Sequence, residues 1–182
     1  MKVKSVHIHP AYLDSMSHQP QSRTVHNIAI IVMRLKVKAS TRIAQPIQFP
    51  LHPVPLDSNF LIATWNVSGG DTRLPLYEVP VEINRAAIES AKNPKKLLTR
   101  RLHLIGDDKF DNELVGRPLL AYNEQSENFT LAGFYSGTIG KRSNEQVEIH
   151  VTVYPHIQWI RETLTSLLTT KKDKKNRSIN KL

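Results

Sequence analysis

Short apolar runs rich in valine and isoleucine recur along this chain, and turn-forming residues end each one before it reaches the length of a helix. The runs at 3–9, 27–35, 60–65, 76–83, 102–105, 118–122, 129–134 and 147–153 read as strands. Gly69-Gly70-Asp71 and the clusters at 123–128 and 137–144 mark turns between them. From 37 to 55, Pro46, Pro50, Pro53 and Pro55 deny the backbone a helix or a regular central strand, which predicts a connector lying on the surface. The polar stretch 11–24 predicts a surface loop. Residues 84–90 predict a short helix with Asn84 as N-cap. The C-terminal end differs. Ile157, Ile160, Leu164 and Leu167-Leu168 follow helical spacing, with Trp159 beside them. They predict one amphipathic helix of about three turns, ending before the lysine-rich tail. Many strands and one terminal helix predict an all-β, antiparallel barrel or sandwich. Trp65 and Trp159 are expected to anchor the core.

The 182 residues allow one ordinary domain or two small ones. Twenty-five Lys and Arg against sixteen Asp and Glu leave a net charge of +9. Such a balance attracts anionic partners but says nothing of fold. Part of the excess lies in Lys171-Lys172-Asp173-Lys174-Lys175-Asn176-Arg177, which reads as a solvated, frayed end. Another part lies in Lys95-Lys96-Leu97-Leu98-Thr99-Arg100-Arg101. This second run predicts either a plain solvated face or a polyanion site in which Lys95, Lys96, Arg100 and Arg101 hold sulfate or phosphate groups. No aromatic residues interleave it, so sequence-specific nucleic-acid binding is not expected. The chain has no cysteine, which excludes disulfides and thiolate metal sites. His7 and His9, two apart on one predicted strand, share a face, but the sequence places no third ligand near them. No metal and no cofactor are expected. No apolar run is long enough to span a membrane. Residues 1–6 lack the apolar core of a signal peptide, which predicts a chain kept inside the cell or an incomplete gene product.

Several segments taken in order carry a resemblance. They are SVHIHPAY at 5–12, HNIAIIVMRLK at 26–36, RIAQPIQFP at 42–50, LIATWN at 61–66, YEVPVEI at 77–83, Gly116-Arg117-Pro118-Leu119, LAGFYSG at 131–137 and IHVTVYPHIQWIRETL at 149–164. In this order and at these separations they resemble the trypsin-like serine proteases. The resemblance implies an antiparallel double β-barrel, with the first barrel incomplete, and a C-terminal α-helix. Residues 1–55 would be the remnant of the first barrel and the connector. Residues 56–168 would be the second barrel and helix, and 169–182 a basic disordered tail.

The resemblance also implies a lost chemistry. Asn27 stands where the family has the acid of its Ser-His-Asp triad, and an amide there fixes the wrong imidazole tautomer. Counting back from Gly116 places Val115 at the nucleophile, and a valine cannot attack a carbonyl. The segment bearing the base would precede Met1. Glu113 replaces a glycine of the oxyanion loop, and its carboxylate would repel a developing oxyanion. Leu114 replaces the aspartate that pairs with a freed amino terminus. The specificity pocket maps to Lys109 at its base, with Glu148 and Ser136 lining it, and Lys109 is expected to pair with Glu148. The implied role is a non-catalytic homologue that binds a protein or a polyanion as regulator, cofactor or decoy. An active serine endopeptidase represented by a partial gene model, and a non-functional gene remnant, stand as alternatives. Family habit implies an extracellular location.

Overall fold

Strands form where apolar residues alternate with polar ones, and the alternation sets which face turns inward. In the computed structural model, Phe60 and Ile62 are buried, as are Val79 and Val81, whose neighbours Glu78, Pro80 and Glu82 face solvent. The structure describes residues 2–12, 26–34, 46–65, 76–85, 95–101, 115–139 and 147–179. Over these the strands are β1 (Val3–Ile8), β2 (Ala29–Met33), β3 (Asn59–Trp65), β4 (Leu76–Ile83), β5 (Lys96–Arg101), β6 (Pro118–Asn123), β7 (Asn128–Ile139) and β8 (Val147–Thr152). A 3-10 turn at Tyr154–His156 and helix α1 (Ile157–Ile179) follow.

Strands β3 to β8 close a barrel in the order β3-β4-β5-β8-β7-β6, every pair antiparallel. Strand β8 returns to lie beside β5, which makes β5 to β8 a Greek key. Closure leaves the barrel itself no free strand edge among the described residues. Phe60, Ile62, Val81, Leu97, Leu119, Ala121 and Ala132 form the barrel core. Each large apolar side chain among them contributes about 1.5–3 kcal/mol by leaving water. The β4–β5 ladder begins at Val81, so β5 asks nothing of the amide that Pro80 lacks. At Gly133 a Cβ would stand 2.7 Å from the Val151 carbonyl oxygen, so β7 approaches β8 more closely than any side chain allows.

Strands β1 and β2 form a separate two-stranded antiparallel ribbon. Its join to the barrel is a second apolar cluster in which Ile28 packs with Leu131, Val153, Ile157 and Ile160, flanked by Ile30, Phe134 and Trp159. The amphipathic face of α1 therefore seals the ribbon against the barrel. Both tryptophans were expected in the core. Trp159 lines this cluster, and the side chain of Trp65 lies outside the described residues. The other face of the ribbon is apolar and bare. Val6 and Ile31, partners across it, are 53% and 58% exposed.

An all-β architecture with one closed antiparallel barrel and a terminal helix is present. Among the described residues only one barrel closes. Three local expectations change. The run 95–101 is not a plain solvated face: strand β5 takes up 96–101, with Leu97, Leu98 and Thr99 buried. Strand β7 continues through Ser136 and Gly137 to Ile139, across the start of an expected turn, by taking a bulge between Tyr135 and Gly137. Helix α1 does not stop before the lysine-rich stretch but runs to Ile179. No glycine or proline interrupts it, and lysine and arginine are good helix formers. The expected strand at 102–105 and nearly all of the expected helix at 84–90 lie outside the described residues. Among the described residues no helix is long and apolar enough to cross a membrane.

Candidate functional site

Asn27 sits just before β2, and Ser136 sits at the bulge of β7. Their side chains meet, with Asn27 Nδ2 donating to Ser136 Oγ at 3.4 Å. Val115 lies in the turn that leads into β6, 59% exposed. Gly116 follows with φ +94°, a left-handed backbone that glycine adopts without strain. The Gly116 amide donates to the Tyr135 carbonyl at 2.8 Å, and the Tyr135 amide donates to the Arg117 carbonyl at 2.8 Å. The turn bearing Val115 is thus laced to β7 next to Ser136. Its side chain carries no group able to attack a carbonyl. Glu113 and Leu114 lie outside the described residues.

Glu148, which the resemblance assigns to a specificity pocket, is buried, and its described partners are Arg117 and His150. Lys109 lies outside the described residues. Glu148 lies 3.6 Å from Arg117 through its Oε1 and 3.6 Å from His150 Nε2 through its Oε2. His150 Nε2 also shares a 2.8 Å hydrogen bond with Thr99 Oγ1. The Arg117 guanidinium lies 4.4 Å above the centre of the Tyr135 ring, a cation–π contact. Register puts Leu97, Thr99, Glu148 and His150 on one face of the β5–β8 pair, the face that turns Leu97 into the barrel core. Arg117, Glu148, His150 and Thr99 are all buried. A buried cluster of charged and polar side chains therefore occupies the barrel interior.

A third cluster was not anticipated. His9 follows β1, His26 precedes β2, and His156 ends the 3-10 turn, almost fully buried. The turn 26–28 brings the first two together: the His9 amide donates to the Ile28 carbonyl at 3.1 Å, and the Ile28 amide to the His26 carbonyl at 2.7 Å. The rings of His9 and His26 stack at 4.8 Å, and both meet the His156 ring edge-on. Trp159 closes the far side of His9, ring centres 4.8 Å apart.

The hydrogen bonds fix the tautomers. Lys95 Nζ can only donate, and it lies 3.5 Å from His26 Nε2. A neutral His26 therefore carries its proton on Nδ1, which faces His156 Nε2 at 3.2 Å. His156 accepts there and donates from Nδ1 to the Thr152 carbonyl at 2.8 Å. Burial, then the Lys95 charge, then His9 and His156, push the His26 pKa down to about 4. Burial, followed by His156 and Lys95, also lowers that of His9. His7 and His9 were expected on one strand face, and the structure separates them. His9 lies past the end of β1, whereas His7 shares a hydrogen bond with Ser5 Oγ at 3.0 Å. No spacing in the sequence links residues 9, 26 and 156; only the meeting of ribbon and helix does.

The basic run covers the entry to β5 and the strand itself, and the side chains of Arg100 and Arg101 lie outside the described residues. Lys95 and Lys96 are half-buried, and Lys95 turns toward His26. Among known proteins, no family model matches the chain and no curated protein matches it.

Proposed function

We propose that this chain is a non-catalytic homologue of the trypsin-like serine proteases, acting by binding a protein or polyanionic partner. One observation carries the non-catalytic reading: Arg117 and Glu148 lie buried against each other where the resemblance would put the pocket. A substrate side chain could enter only by expelling two paired charges, and a charge left alone in the interior costs several kcal/mol. Val115 adds to this, since its turn offers no nucleophile. Two further features support the kinship. Asn27 and Ser136, which the resemblance assigns to the triad acid and the pocket, touch across 109 residues of sequence. A closed six-stranded barrel followed by a helix stands where the resemblance expects the second barrel. Binding is supported by the bare apolar face of the ribbon at Val6, Ile8 and Ile31 and by the net charge of +9.

The test is covalent labelling of the folded chain with a fluorophosphonate probe for activated serines, with heat-denatured chain as control. No fold-dependent labelling is expected. Labelling that requires the fold would show that another serine acts as nucleophile, and would sink the proposal.

A further inference from the structure

We propose that His9, His26 and His156 form a binding site for a divalent transition metal, with zinc as the reference ion. The inference does not use the protease kinship. Three imidazoles from three separate segments converge, and their ligand nitrogens lie within 4.8 Å of one another. His26 Nδ1 and His156 Nε2 are 3.2 Å apart. A tetrahedral ion with metal–nitrogen bonds of about 2.0 Å places its ligands roughly 3.3 Å apart, so this pair already has the required spacing. His156 is also held as metal-bound imidazoles are held. Its Nδ1–H is tied to the Thr152 carbonyl, which aims the Nε2 lone pair into the cluster. A set of imidazoles alone suits zinc, copper or nickel, and not calcium or magnesium, which take oxygen ligands. Three protein nitrogens leave a fourth position for water.

Loading rearranges two neighbours. His26 moves its ring proton from Nδ1 to Nε2, which frees Nδ1 for the ion and releases no net proton. The new Nε2–H can no longer accept from Lys95, so Lys95 turns away, and its charge opposes the ion until it does. His9 Nδ1 accepts the Ala11 amide at 3.2 Å. Ligation through that atom costs this bond, so His9 is the weakest of the three ligands. The bound ion would tie the ribbon to the segment joining the barrel and α1, a cross-link that this cysteine-free chain cannot make with sulfur.

The experiment is calorimetric titration of the full chain with zinc chloride at neutral pH, paired with thermal melts with and without EDTA. One ion per chain is expected, with a rise in melting temperature that EDTA reverses. His26→Asn should weaken binding by more than the roughly 10–100-fold typical of losing an outer-shell partner, and His9→Ala should weaken it less. Lys95→Met should tighten it. His7→Asn, outside the cluster, should leave it unchanged. Circular dichroism checks each fold, and His9→Ala carries the test if His26→Asn does not fold. Absence of saturable one-to-one binding, or wild-type affinity in the folded His9 and His26 variants, would overturn the proposal.

Discussion

At the scale of single residues, the buried pair Arg117–Glu148 is the clearest liability. Removing one partner strands the other charge in the barrel, so Glu148→Gln should lower stability by about 3–5 kcal/mol, read from urea unfolding. Replacing both, as Arg117→Met with Glu148→Leu, should recover most of that loss, because no lone charge is left behind. The sequence reading singled out Glu148 and gave it Lys109. Arg117 stood only within the motif at 116–119, since nothing in a linear sequence says that the entry to β6 and strand β8 point residues 117 and 148 at one spot. His26 gives a second prediction, for chain kept metal-free with EDTA. Unfolded, it titrates near 6.5, and folded, near 4. The unfolded chain therefore takes the proton first as pH falls. Stability from this residue is full above about pH 6.5 and drains away between about 6.5 and 4. The lowered pKa of His9 acts in the same direction. His26→Asn should flatten the slope of unfolding midpoint against pH over that window, and an unchanged slope would refute the assignment.

At the scale of elements, the join between ribbon, barrel and α1 depends on a narrow set of contacts. Ile160 is buried in it, whereas Leu168 is 63% exposed. Ile160→Ala should cost about 2–5 kcal/mol, and Leu168→Ala should fall within the ±0.5 kcal/mol usual for surface changes, both by urea unfolding. Most strands were legible because their apolar residues keep period two or run unbroken between turn signals. Strands β3 and β4 need no side chain from elsewhere to be recognised. Strand β5 was hidden because lysine and arginine flank Leu97-Leu98-Thr99 at both ends, and charge density outweighed three buried residues that matter only once β8 lies alongside. The helix was legible to Leu168 from its apolar face. Beyond that it has no such face, and only backbone propensity carries it on. The histidine cluster was illegible for a related reason: three segments far apart in sequence build it, and none carries a metal-binding spacing of its own.

At the scale of the whole molecule, the question is whether the net charge of +9 acts through a site or through the field of the entire chain. Residues 169–182 hold six cations and one acid, so removing them lowers the net charge to +4. The run 95–101 holds four cations, one of which, Lys95, turns toward His26. A sulfated polymer bound by a cradle at 95–101 would lose affinity when Lys96 and Arg100 are replaced by Gln, and would ignore the tail. The opposite ranking is expected, because the tail holds six cations against four in the run. Truncation after Leu168 removes no residue of the two apolar clusters, so it should leave the melting temperature nearly unchanged. On a sulfated-polysaccharide resin the truncated chain should elute at clearly lower salt than wild type, and Lys96→Gln/Arg100→Gln only slightly lower. Exposed charges act additively through a field that salt screens, with a Debye length of about 8 Å at physiological ionic strength. The reverse order of elution would place a true anion site on β5.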